Sequence, residues 1–93
     1  MELKELREKF DTIDDQIVDL FVERMKTSAQ IAKIKRENGL AVRNASRERE
    51  VLEHVMERAG DGLETYAKFL YQTMFEVSRS YQHRLLDDTG EFA

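Results

Sequence analysis

Ninety-three residues with a formal charge of −4 and no cysteine make one small domain, and they exclude disulfides, thiolate metal sites and a cysteine nucleophile. The absence of proline, only four glycines, 37% charged and 41% apolar residues suit long amphipathic helices and oppose a strand-rich fold with many turns. The negative balance leaves no face-wide excess of Lys and Arg for nucleic acid. Met1-Glu2-Leu3-Lys4-Glu5 has no apolar core like that of a signal peptide, and no apolar run approaches transmembrane length, so a soluble cytoplasmic protein without membrane or nucleic-acid partner is expected.

From Leu3 to Asn38 the spacing predicts one helix. Leu3, Leu6, Phe10, Ile13, Ile17 and Leu20 recur at alternating threes and fours, a coiled-coil-like stripe. It continues through Arg24, Thr27, Ile31 and Ile34 to Asn38, where Asn38-Gly39 supplies a left-handed helix end. After a short connection over residues 39–43, Asn44 or Ser46 can cap a second helix, whose apolar face is Val51, Leu52, Val55, Met56 and Ala59. Gly60-Asp61-Gly62 breaks the chain, and Asp61 with Glu64 reads as a capping box for a third helix. Its stripe is Leu63, Ala67, Leu70, Met74, Val77, Tyr81 and Leu85. The domain is expected over residues 1–86, with 87–93 a polar, aperiodic tail expected to be disordered.

The first helix, about 36 residues at about 1.5 Å each, is a rod of roughly 54 Å. A compact chain of this length has a radius of gyration of about 12 Å. Two shorter helices cannot cover such a rod, so its stripe is expected to be shared with an antiparallel copy of itself in a homodimer.

Several charged residues fall where apolar ones belong. Arg24 sits on the stripe itself; taken alone it can be an arginine at a seam that snorkels to solvent. Lys35, eleven residues on, projects from nearly the same side about 16 Å along the axis, and two long cations leaning toward one point can grip a small dianion. Arg47 and Glu48 precede Val51, Leu52 and Val55 by one turn and begin the inward face of the second helix. The helix dipole accounts for Glu48 as first-turn decoration but not for Arg47. Ser78 and Gln82, an i, i+4 pair, either bond to something buried or edge the third stripe. Arg7, about 25 Å before Arg24 and roughly 100° round the helix, cannot reach the same small site within one chain, but in an antiparallel dimer it could reach the partner's. His54 and His83 are isolated and read as surface or edge residues, and no spacing suggests a metal. No Gly-rich phosphate loop, nucleophile elbow or glycosidase-type carboxylate pair is present.

The ordered set Leu6-Arg7-Glu8-Lys9, Ile13-Asp14, Leu20-Phe21-Val22-Glu23-Arg24, Ile31-Ala32-Lys33-Ile34-Lys35, Val42-Arg43-Asn44, Arg47-Glu48-Arg49-Glu50 and Glu76-Val77-Ser78 with Gln82 resembles the all-helical chorismate mutases. Among them it is similar to the mutase domain of bacterial bifunctional chorismate mutase/prephenate dehydratase proteins. The resemblance covers residues 3 to about 86 and implies an all-α fold, an intertwined homodimer of three-helix chains with two equivalent sites. It implies an isomerase of the shikimate pathway that converts chorismate to prephenate for aromatic amino acid biosynthesis, by conformational restriction and electrostatics and without a cofactor.

By position, Arg7 of one chain and Arg24 of the other would bind substrate carboxylates, with Ser78 assisting. Lys35 and Gln82 would hydrogen-bond the ether oxygen of the breaking bond. Glu48 and the main chain at Asn44 would hold the ring hydroxyl, and Arg47 would line the pocket. Lys35, Gln82, Arg24 and Glu48 are thus the expected catalytic set. Asn44 departs from the family, whose members often carry Asp there; since the implied role belongs to the backbone, Asn serves, also as a cap.

Other readings stand beside this one. An isochorismate-pyruvate lyase shares the implied fold. A non-catalytic helical dimerisation domain explains the heptad stripe equally well, but not five inward cationic or amide positions on three helices; a mutase-like sensor domain that binds chorismate or a similar anion fits the same residues as the enzyme does.

Overall fold

The computed structural model describes residues 2–87; the expected tail, apart from Asp87, lies outside the described residues. The described residues form three helices, α1 (Leu3–Glu37), α2 (Ala45–Ala59) and α3 (Glu64–Asp87), joined by two short connections, and include no strand. The all-α architecture and both breaks follow the sequence expectation.

The two breaks between helices have local causes. α1 ends at Asn38, whose backbone N–H donates to the Ile34 carbonyl, and Gly39 follows at φ +66° with its own N–H on the Arg36 carbonyl, the left-handed residue that closes a helix with least strain. Of the two caps open for α2 it is Asn44 that serves, its side-chain oxygen accepting the Arg47 backbone N–H at 3.1 Å. The third start differs from expectation. Gly60, Asp61 and Gly62 all take positive φ, so Asp61 is consumed by a left-handed turn and cannot sit in the extended conformation of an N-cap. The helix opens at Glu64, and the Asp61–Glu64 capping box does not form.

α3 is the central element. It packs against both α1 and α2, whose backbones do not approach one another. Arg24 pairs with Ser78 and Ser28 with Gln82; both partners advance by four residues, so α1 and α3 run parallel there. Glu48 pairs with Arg79, and Val51, His54 and Val55 lie beside Tyr71, so α2 runs antiparallel to α3.

The buried face of α1 is not its apolar stripe. Ser28 and Ala32 are its buried residues, whereas Ile31 and Ile34 remain exposed. Two small side chains one turn apart let the helix backbones approach closely, and branched side chains are turned to the flanks. On α3, likewise, Phe75, Ser78 and Gln82 are buried while Leu70 and Val77 of the expected stripe, and Leu63 just before the helix, are exposed.

The N-terminal half of α1 is bare. Leu3, Leu6, Phe10, Ile13, Ile17 and Leu20 are all exposed, Phe10 at 66% and Leu20 at 64%, and on α3 Tyr66, Phe69 and Leu70 are exposed as well. The molecule measures 53 × 27 × 15 Å with a radius of gyration of 16.4 Å, well above the roughly 12 Å of a compact chain of this length.

Candidate active site

Where the C-terminal part of α1 meets α2 and α3, a cavity of about 280 Å³ opens. Arg24, Lys35, Asn44, Arg47, Glu48, Ser78 and Gln82 all line it. These are seven of the eight site positions named from the sequence, brought together from three helices and one loop. Ile31, Val51 and Phe75 supply its apolar wall.

Arg24 is half-buried, its Nη1 donating to Ser78 Oγ at 3.0 Å. Its guanidinium lies 5.8 Å from the centre of the Tyr71 ring, a cation–π distance. Tyr71 is in turn fixed edge-to-face on Phe75, with centroids 6.2 Å apart. The arginine on the stripe is therefore held over an aromatic ring and a hydroxyl, not snorkelled away. The guanidinium keeps donors in reserve, because one of five is used on Ser78.

Lys35 Nζ donates to the Val42 carbonyl, which ties the end of α1 to the loop before α2. An ammonium has three donors, so this bond sets its direction and leaves two for a ligand. Gln82 is 6% exposed, and its Nε2 donates to the Ser28 carbonyl at 3.1 Å, again leaving one amide hydrogen for the cavity. Ser78 and Gln82, one turn apart, are thus inward groups with buried partners. That resolves the choice that spacing had left open.

Glu48 carries two arginines. Its Oε2 accepts from Arg79 Nη1, and its Oε1 lies 3.4 Å from Arg43 Nε. Arg79 lines the cavity too and was not singled out by sequence reasoning; the available signal was its place between Ser78 and Gln82, three residues before the latter. Arg47 lines the rim, but its guanidinium pairs with Glu50 at 3.1 Å and its side chain is 68% exposed. The Asn44 side chain is spent on capping α2, and its carbonyl accepts the Glu48 N–H at 3.0 Å.

Arg7 is not brought to this cavity. It lies in the exposed part of α1, seventeen residues and about 25 Å of helix rise before Arg24. His54 borders a separate depression with Arg24, Arg47 and Tyr71. Among the described residues no group of three or more His, Asp or Glu side chains could hold a metal ion, and no helix is long and apolar enough to cross a membrane.

The cavity thus offers Arg24, Lys35, Arg47 and Arg79 with one carboxylate, a surface for a small anion carrying a hydroxyl. A sequence model of the chorismate mutase type II family matches residues 6–83. The chain belongs to that family. It is an isomerase family, and all seven cavity positions fall inside the match. The chain is 26% identical over 89 residues to the chorismate mutase of Methanocaldococcus jannaschii, covering 94% of this chain and 90% of the relative. It is 42% identical over 55 residues to the bifunctional chorismate mutase/prephenate dehydratase of Aquifex aeolicus, covering 59% of this chain but 15% of that longer protein. No solved structure matches it significantly.

Proposed function

We propose that this chain is a cytoplasmic chorismate mutase that acts as a homodimer, and that the cavity between its three helices is the active site. The observation that carries the reading is the convergence of Arg24, Lys35, Ser78 and Gln82, each already aimed by an internal bond, on one pocket with Glu48.

The rearrangement of chorismate to prephenate is unimolecular, needing neither nucleophile nor proton transfer. What a protein can contribute is shape and charge. Arg24 and, across the dimer, Arg7 of the second chain take the two carboxylates, with Ser78 beside Arg24. Bidentate guanidinium contacts of this kind fix the enolpyruvyl arm over the ring. As the C–O bond breaks ahead of C–C formation, negative charge grows on the ether oxygen. Lys35 and Gln82 face it with hydrogens that are free once Val42 and Ser28 are satisfied. Because they are held before the substrate arrives, they stabilise the transition state more than the ground state. Glu48 and the main chain at Asn44 receive the ring hydroxyl, and Arg47 closes the rim after leaving Glu50. Local cationic focusing draws a dianion to a protein of negative net charge.

The dimer is supported by the apolar face of α1 that none of the described residues covers, and by the exposed Tyr66, Phe69 and Leu70 on α3. An antiparallel second copy would cover the first and bring its Arg7 to the open end of the cavity. Purified protein should consume chorismate in an ultraviolet assay without added cofactor, and prephenate should accumulate in equal amount. Binding of chorismate without turnover would favour the sensor alternative, and pyruvate release from isochorismate would favour the lyase.

A further inference from the structure

We infer that Arg79 is a positioning residue of this site: it holds the Glu48 carboxylate toward the cavity so that its remaining lone pairs can receive the substrate's ring hydroxyl. The inference rests on the chorismate mutase reading and adds a residue to it.

Arg79 follows Ser78 and precedes Gln82 by three, so all three project from one side of α3 into the same cavity. Its side chain is 24% exposed and that of Glu48 19%, whereas Arg43, the second partner of Glu48, is 64% exposed. An ion pair to so exposed a group is screened by solvent and holds geometry poorly. The enclosed Arg79–Glu48 pair is therefore the one that fixes the carboxylate.

Glu48 also has somewhere else to go. Behind the pair lies a second cavity of about 400 Å³, to which Arg43, Arg49, Leu52 and Gln72 contribute, and both Glu48 and Arg79 line it as well as the first. With Phe75, which borders both as well, the pair forms the partition between the two spaces. Without Arg79, Glu48 in the first turn of α2 is free to rotate toward Arg43 and Arg49 and leave the substrate side. A carboxylate has about four acceptor positions; Arg79 and Arg43 occupy two, so acceptors remain for a hydroxyl.

The test is a double-mutant cycle in the intact protein, comparing wild type with Arg79→Gln, Glu48→Gln and the double variant. kcat/KM is measured for chorismate and for an analogue lacking the ring hydroxyl. Arg79→Gln should lower kcat/KM on chorismate about tenfold or more, the scale of one hydrogen bond to a charged group. The same change in the Glu48→Gln background should cost less than about twofold, because the residue it acts through is gone. On the analogue, Arg79→Gln should likewise be nearly silent. Melting temperatures check folding, and Arg79→Lys, which keeps the charge without the fork, replaces Arg79→Gln in the cycle if the latter does not fold. Equal losses in both backgrounds, or on both substrates, overturn the assignment and make Arg79 an independent clamp of α2 on α3 or a direct substrate contact. A wild type that does not turn over chorismate overturns the functional reading first, and this assignment with it.

Discussion

The two halves of α1 carry the same helical periodicity and meet opposite fates. In the C-terminal half Arg24, Ser28, Ala32 and Lys35 each have a partner in the same chain or a place in its packing. In the N-terminal half the stripe Leu3, Leu6, Phe10, Ile13, Ile17 and Leu20 is covered by none of the described residues and stands in solvent. The half that looks worse by pattern, with charges and small polar residues on its inner side, is the half that is complete. The half with the better apolar stripe is unfinished. A stripe of large side chains states that something must cover it, not what. Small residues interspersed with cations specify a close helix contact and the site beside it.

Variants can break this contrast. The largest effect is expected from Arg24→Ala and Arg7→Ala, one from each half. Each should abolish nearly all mutase activity, although Arg7 touches nothing of the site within its own chain. If Arg7 serves the second chain, mixing and re-annealing the two inactive proteins should restore one intact site in each heterodimer, and steady-state activity should return. No recovery after proven subunit exchange would place Arg7 outside the site.

Ile17→Asp probes the bare half alone. On a free surface such a change stays within about 0.5 kcal/mol. Under a second chain it buries a charge, and the dimer should weaken by about 3 kcal/mol or more. Sedimentation equilibrium distinguishes the two, and an unchanged dimer would show Ile17 to be outside any interface.

Lys35→Ala probes the complete half. kcat/KM should fall on the order of 10²-fold or more, the scale of losing one preorganised donor. Lys35→Arg should not fully rescue it, since a planar fork cannot put its charge at the same point. Full activity of the arginine variant would show that any cation there suffices. The smallest effect belongs to Asn44→Ala, which removes the cap of α2 and should cost about 1 kcal/mol in thermal or urea unfolding. A larger loss of activity than of stability would mean that the loop before α2 also positions the Asn44 main chain.

The sequence by itself determined the three helices, their breaks and the candidate residues. The reasons are local: period 3.6, Gly39 in the left-handed conformation, Asn44 or Ser46 as a cap, and cations at positions where a stripe should be apolar. It also determined the family, because the ordered motifs from Arg7 to Gln82 are properties of one dimension. It did not determine which face of α1 packs on α3. Ser28 and Ala32 win that contact because a close approach of two backbones rewards small side chains, and hydropathy periodicity weights large ones. It did not disclose that Asp61 is consumed by a left-handed turn, which depends on the φ of three successive residues. Nor did it single out Arg79, thirty-one residues from Glu48. An ion pair between two helices exists only once their crossing is fixed, so the partition it forms with Phe75 behind the site is a property of the tertiary structure alone.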